Sequence, residues 1–230
     1  QQKFNQKAPN LVWVSDITYI KAGGIWYYLC IVMDLFSRKV ISWHISSKAN
    51  VELVIAAFKK AYEKRNTPHG LMFHSDRGSQ YTAFSFRQLL DSLNVVQSFS
   101  KKGYPFDNAC CECFFKYLKK EETNRKCYRS LMELQLSVFE YIEGYYNTKR
   151  PHGTLNMLTP NEAEALYWEQ TKYPAPPKKI VLFCVYLLDY SSLQKTLSLP
   201  DRGKNAHTRQ SLLIFLGAAP VFSVKTSLLS

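Results

Sequence analysis

The sequence predicts an α/β domain in which one mixed β-sheet carries helices on both faces. Three observations lead there. Near the N-terminus, three runs rich in β-branched and aromatic residues follow one another across short turns, the pattern of an antiparallel meander. Beyond them, segments of helical period alternate with two short apolar runs, and after these only helical patterns remain. The composition, 46% hydrophobic and 14% aromatic over 230 residues, supplies a packed core with chain to spare and excludes a disordered or collagen-like protein.

The first strand covers residues 11–20, where Val12, Val14 and Ile17 sit among Trp13, Thr18 and Tyr19. Gly23-Gly24 makes a turn into a near-continuous apolar strand, 26–34, and Ser37-Arg38 turns the chain into a third strand, 40–45. Asn50 has the chemistry of a helix N-cap, with Glu52 in the first turn and Val51, Val54, Ile55, Phe58 and Tyr62 at helical spacing. A short strand at 71–75 runs into Asp76-Arg77-Gly78. A helix over 83–93, a brief strand over 94–97 and a mobile loop over 98–105 follow. Asp107 or Asn108 then caps a helix reaching Lys120, with Phe114, Phe115 and Leu118 on its apolar face. Residues 131–146 read as another amphipathic helix and 160–168 as a last short one.

Charge narrows the function classes. Thirty Lys and Arg against 18 Asp and Glu leave +12 at pH 7, an excess that attracts polyanions, nucleic acid before an anionic membrane surface. No apolar run reaches the length of a spanning helix: residues 180–188 are too few, and 212–224 is broken by Pro220. Cys110, Cys111 and Cys113 crowd into four positions, which suits neither a disulfide framework nor a zinc site with a second close ligand pair. They read as small buried helix residues.

Three carboxylates stand out. Asp16 lies inside the first strand, where an unpaired charge is expensive; Asp76 ends a later strand at a Gly-containing turn; Glu112 sits one turn into a helix. Singly, each has an ordinary reading: a paired strand residue, a turn former, a favourable first-turn acid. Together, two from strands of one sheet and one from a helix packed across it make a hard-oxygen site for Mg²⁺ or Mn²⁺. Two such ions, about 3.5–4 Å apart, activate a water or a 3′-hydroxyl and stabilise the leaving oxygen in phosphodiester chemistry. Asp34, before Ser37-Arg38, reads as a turn residue and not as a fourth ligand.

The run Val12-Trp13-Val14-Ser15-Asp16-Ile17-Thr18-Tyr19-Ile20, then His74-Ser75-Asp76-Arg77-Gly78-Ser79-Gln80-Tyr81, then Lys102-Gly103-Tyr104-Pro105-Phe106-Asp107-Asn108-Ala109 leading to Glu112-Cys113-Phe114-Phe115-Lys116, resembles bacterial insertion-sequence transposases with an integrase catalytic core. Thirty-five residues, 77–111, separate Asp76 from Glu112, the hallmark spacing of that family. Tyr146-Asn147-Thr148-Lys149-Arg150-Pro151-His152, followed by Leu158-Thr159-Pro160, is similar to the segment that closes such domains. The resemblance implies an RNase H-like fold, Asp16, Asp76 and Glu112 as the metal-binding catalytic triad, and metal-dependent cleavage and strand transfer on transposon ends and target DNA by a homo-oligomer. The family's basic residues one and two turns after the Glu correspond to Lys116 and Lys119, which share the face of Glu112 and serve either as phosphate contacts or as a solvated helix face. Lys102 and Arg77 join them as candidate DNA contacts. An RNase H-like nuclease that only hydrolyses and a decayed DNA-binding remnant are the competing readings.

The expected organisation is a linker over 1–10, the integrase core over 11–168 and an atypical tail over 169–230. Residues 171–230 carry 8 basic and 2 acidic residues, are Leu/Ser-rich after Pro174, Pro176 and Pro177, and read as a partner-binding tail or as read-through, foreign or disordered sequence before a small appended subdomain. The opening Gln1-Gln2-Lys3, without an initiating Met or a signal peptide, leads to the expectation of a piece of a longer cytoplasmic polypeptide that lacks the N-terminal DNA-recognition part of such transposases.

Overall fold

Why the predicted strands pair as they do is set by their turns. The computed structural model describes residues 5–100 and 108–172; Lys102, the Asp107 cap, most of the expected 98–105 loop and nearly all of the 169–230 tail lie outside the described residues. Strand β1 (Val12–Ala22) turns at Gly23 and Gly24, whose φ of 55° and 80° suit the tight hairpin turns that side chains resist, into β2 (Ile25–Asp34). The pair is antiparallel from Trp13↔Asp34 to Ala22↔Ile25. Strand β3 (Val40–Ser46) completes the expected meander against β2.

Helix α1 (Val51–Lys64) starts at Asn50, whose side chain accepts from the Leu53 N–H at 3.3 Å, as the sequence predicts. It returns the chain to β4 (Met72–Ser75), which pairs parallel with β1 on the side away from β2. A short helix α2 (Ser79–Thr82), not foreseen from sequence, is separated from α3 (Phe84–Ser92) by Ala83 in an extended conformation. The break lets Tyr81 and Phe86 both enter the core. Strand β5 (Val96–Phe99) begins two residues later than expected because Asn94 takes a left-handed conformation, φ 54°, and the Val95 N–H bonds back to Leu90 O at 2.9 Å to close α3. It pairs parallel with β4, giving the order β3-β2-β1-β4-β5. This is the mixed sheet the sequence predicts.

Helices α4 (Ala109–Glu121) and α5 (Leu131–Phe139) follow, the latter capped by Ser130 and widening into a π-helical turn, Glu140–Tyr146. The sequence predicts one regular helix over 131–146. The wider turn keeps Tyr141, Ile142 and Tyr146 together in the core. Helix α6 (Pro160–Lys172) opens on a capping box, Glu162 N to Thr159 Oγ1 at 3.2 Å and Thr159 N to Glu162 Oε2 at 2.8 Å, and runs four residues beyond the expected end at Trp168.

Alternation along the strands divides the core. Val14, Leu29, Ile31 and Met33 face Phe114, Leu118, Leu134 and Val138 of α4 and α5. Trp13, Cys30, Val32 and Ile41 face Leu53, Phe58, Phe86 and Leu90 of α1 and α3. Glu164 of α6 is buried and accepts from Ser37 Oγ at 2.7 Å and from Arg65 at 2.5 and 3.0 Å, with Lys39 at 3.4 Å. Burial alone raises its carboxyl pKa, but Arg65, Ser37 and Lys39 hold it below the usual range. Among the described residues no helix is long and apolar enough to cross a membrane.

Candidate active site

The parallel register between β1 and β4 places the two aspartates. Val14 pairs with His74, and counting two residues on from each reaches Asp16 and Asp76. Asp76 directly follows Ser75, the last residue of β4, so its side chain leaves the sheet at a strand end. Asp16 shares the strand face of Val14, and Val14 packs with Cys111 and Phe114 of α4. Glu112, beside Cys111, belongs to the same helix and is exposed at its margin. Two strands and a crossing helix thus bring the three sequence-predicted acids to one region.

Their electrostatics show the proximity. The Asp16 carboxyl is pushed up to about 7, first by burial, and further by the negative charges of Asp76 and Glu112; the Ile17 N–H, donating to Oδ1 at 2.8 Å, opposes the rise. Asp76 Oδ1 accepts from the Gly78 N–H at 3.0 Å, which closes the turn. A Cβ at Gly78 would stand 3.1 Å from that oxygen and 3.0 Å from Gln80 Oε1, so glycine lets the turn form this tightly.

The acids rest on a buried polar layer that sequence reasoning did not identify. Ser15, adjacent to Asp16, is fully buried with its hydroxyl 2.9 Å from the Tyr81 hydroxyl and 3.5 Å from Cys30 Sγ. Asn108, expected as a helix cap, makes no side-chain cap bond; its amide donates instead to Ser15 O at 3.1 Å. That bond ties the start of α4, and with it Glu112, to β1. The His74 ring lies between Ser98 Oγ at 3.1 Å and Ser100 Oγ at 3.2 Å, bracing β4 against β5 just before Asp76. Asp34 accepts from the Asn10 and Phe36 N–H groups at 2.7 and 2.8 Å, which is the work of a turn residue. Burial raises its carboxyl to about 6.

The candidate cations are placed differently from one another. Lys116 is exposed on α4, four residues after Glu112. Lys119 holds its ammonium 4.9 Å from the Tyr19 ring centre. Arg77 is exposed and folds back along β5, its Nε donating to Ser100 O at 3.3 Å and its guanidinium 6.0 Å from the Phe99 ring. Arg150 was missed as a site-building residue: it meets Glu121 through Nε and NH2 at 3.1–3.2 Å and stacks 3.8 Å over Tyr117, gripping α4 from the domain-closing segment. The available signal was its place in the Tyr146–His152 block. In that block Asn147 also pairs with both backbone groups of Val40 on edge strand β3, at 3.0 and 3.1 Å.

Three carboxylates are the right donor chemistry for a hard divalent cation, and their mutual repulsion at Asp16 is the feature a bound cation relieves. As placed, no three Asp, Glu, His or Cys side chains among the described residues close around a common metal position. The donor set fits; the closed coordination sphere is not formed.

A five-stranded mixed sheet in this order with helices on both faces is an RNase H-like fold. Models of the integrase core domain match residues 6–105 and 93–160. Among relatives, the transposase for insertion sequence element IS904 of Lactococcus lactis is 40% identical over 163 residues, which is 71% of this chain and 64% of that protein. The chain thus spans somewhat less than two thirds of that relative's length. Among solved structures, a chain of the simian T-cell lymphotropic virus intasome in complex with PP2A regulatory subunit B56 gamma superposes with a TM-score of 0.54 at 18% identity, over 75% of this chain and 58% of the other. The HTLV-2 integrase catalytic core in complex with magnesium superposes at 0.50 and 18% identity, over 70% and 99%. The chain belongs to the integrase core domain family, and the relatives it matches include insertion-sequence transposases.

Proposed function

We propose that this chain is the catalytic core of a DNA transposase that nicks element ends and joins the freed 3′-hydroxyl to target DNA. The observation that carries the reading is the coupling of Asp76 and Glu112 to the half-buried Asp16, three acids from three elements at one place in a basic protein. Asp16, Asp76 and Glu112 hold Mg²⁺ or Mn²⁺, in the manner suggested by the magnesium complex of the HTLV-2 integrase core. Bound metal supplies a nucleophile at neutral pH and charge stabilisation at the leaving oxygen. The chain's own contribution is placement: Asn108 seats α4 on β1, Gly78 closes the turn that aims Asp76, and Lys116 and Lys119 line phosphates along α4. Lys102 and Arg77 extend that contact, and a homo-oligomer on DNA brings paired ends together.

The test is cleavage and joining on a paired-end DNA substrate with Mg²⁺ and with chelator. Asp16→Ala, Asp76→Ala and Glu112→Ala each abolish both products while DNA binding persists, because the removed charges repel phosphate. Wild-type turnover in any of the three sinks the mechanism. Cleavage without joined product assigns a hydrolytic nuclease instead. The division between core and tail is also a proposal, tested by truncation after Lys172: a melting temperature equal to that of the full chain supports it, and a large loss refutes it.

A further inference from the structure

The outer part of the β1–β2 hairpin runs past β4, whose pairing with β1 stops at Val14 while β1 continues to Ala22. On this ribbon Lys21 lies directly opposite Trp26, with Tyr19 diagonal to it. Both rings are exposed, Tyr19 at 57% and Trp26 at 50%, and meet edge to face with centres 5.2 Å apart. Lys119 from α4 sits 4.9 Å over Tyr19, and Lys21 lies 5.8 Å from the Trp26 ring. Between the ribbon and the end of α4 opens a cleft of about 630 Å³, lined also by Lys126. Among the described residues no Asp or Glu lines it; the nearby Glu122 is engaged by Lys126 at 2.5 Å.

We propose that this cleft receives an unpaired stretch of the DNA strand being processed, a base stacking on Tyr19 and Trp26 and its phosphates meeting Lys119 and Lys21. The proposal rests on the transposase reading and deepens it. Exposed aromatic faces beside lysines are the recurring platform for single strands: the rings take any base, and the ammonium groups swing from ring to phosphate. Continuity with the acid cluster selects this occupant over an acidic peptide. Glu112, Lys116 and Lys119 lie at i, i+4 and i+7 on one face of α4. Seven residues at about 1.5 Å each span roughly 10 Å, about three nucleotides at 3.4 Å per step. A strand reacting at Glu112 therefore reaches the cleft a few nucleotides from the reacting phosphodiester.

The experiment uses the full chain in chelator, so that no chemistry intervenes, and follows binding of a labelled short duplex that ends in a few unpaired thymidines. The same duplex fully paired, and one with abasic sites at the unpaired positions, are the comparisons. Wild type binds the unpaired-end duplex more tightly than either. Tyr19→Ala and Trp26→Ala each weaken that binding on the order of tenfold and leave the paired duplex within about twofold, while Trp26→Phe, which keeps a stacking face, retains most of it. Lys119→Ala weakens all three and lowers the salt slope by about one. Equal binding of the three duplexes by wild type, unchanged binding by both aromatic variants, or displacement by poly-glutamate as readily as by oligothymidine overturns the proposal. If wild type binds no DNA at all, the transposase reading falls with it; if it binds DNA but ignores unpaired bases, only the cleft assignment falls.

Discussion

The amide of Asn108 reaches from the start of α4 to the carbonyl of Ser15, a buried bond between the helix that carries Glu112 and the strand that carries Asp16. Asn108→Ala leaves that carbonyl without its donor, a loss of about 1–2 kcal/mol by the usual cost of a buried unpaired group. Because the bond spans two of the three acid-bearing elements, the proposed cleavage activity falls by more than the lower melting point explains. Both are read on one preparation, by thermal melting and by turnover at a temperature where the variant is folded. That Asp16 lies inside a strand, Asp76 just past a strand end and Glu112 in the first turn of a helix was legible in the sequence, because each placement follows from a local pattern. In the sequence Asn108 has the look of a cap, because Asn before a helix ordinarily is one. Its actual partner lies 93 residues away, and no local pattern encodes that distance.

Arg150 acts on the whole of α4. Its guanidinium lies flat on Tyr117 and grips both oxygens of Glu121, so one residue fixes the helix in rotation and along its axis. Lysine keeps the charge but loses the fork and the flat face, and Arg150→Lys costs about 2 kcal/mol by urea unfolding. A second device of this kind is the hairpin tip. The Gly23 N–H donates to Tyr128 O at 2.8 Å, and a Cβ at Gly23 would come within 2.8 Å of Arg129 O with φ at 55°. Gly23→Ala therefore pushes the tip off this segment, with a loss of about 1–2 kcal/mol; a variant that melts like wild type contradicts the close approach. The Gly-Gly turn itself was readable in sequence because its local conformation requires glycine. The docking of that turn, the break at Ala83 and the π-helical widening after Phe139 were not, since each is imposed by which rings must share a core.

At the scale of the molecule, the antiparallel meander and the mixed character of the sheet were legible from strand composition and turn length, whereas the strand order, with β4 on the far side of β1, and the closing contacts were not. His152 packs edge-on to Tyr146, 4.9 Å between centres, and burial together with the Arg150 charge lowers its pKa from 6.5 to about 4. A group that the folded state keeps neutral stabilises fully above about pH 6.5, and that share is lost as the pH falls towards about 4. His152→Gln removes this proton linkage. The unfolding free energy of the variant relative to wild type accordingly rises across that interval, and a constant difference refutes the assignment. Glu164 has a consequence of another kind. It answers Arg65 from 99 residues further along and Ser37 from 127. A ribosome makes Arg65 long before Glu164, so the cation waits for its counter-charge while the sheet, α1 and the acid-bearing elements are already synthesised. The nascent domain is locked only when its last helix emerges, and a message that ends before that codon yields a polypeptide with all three acids and no latch.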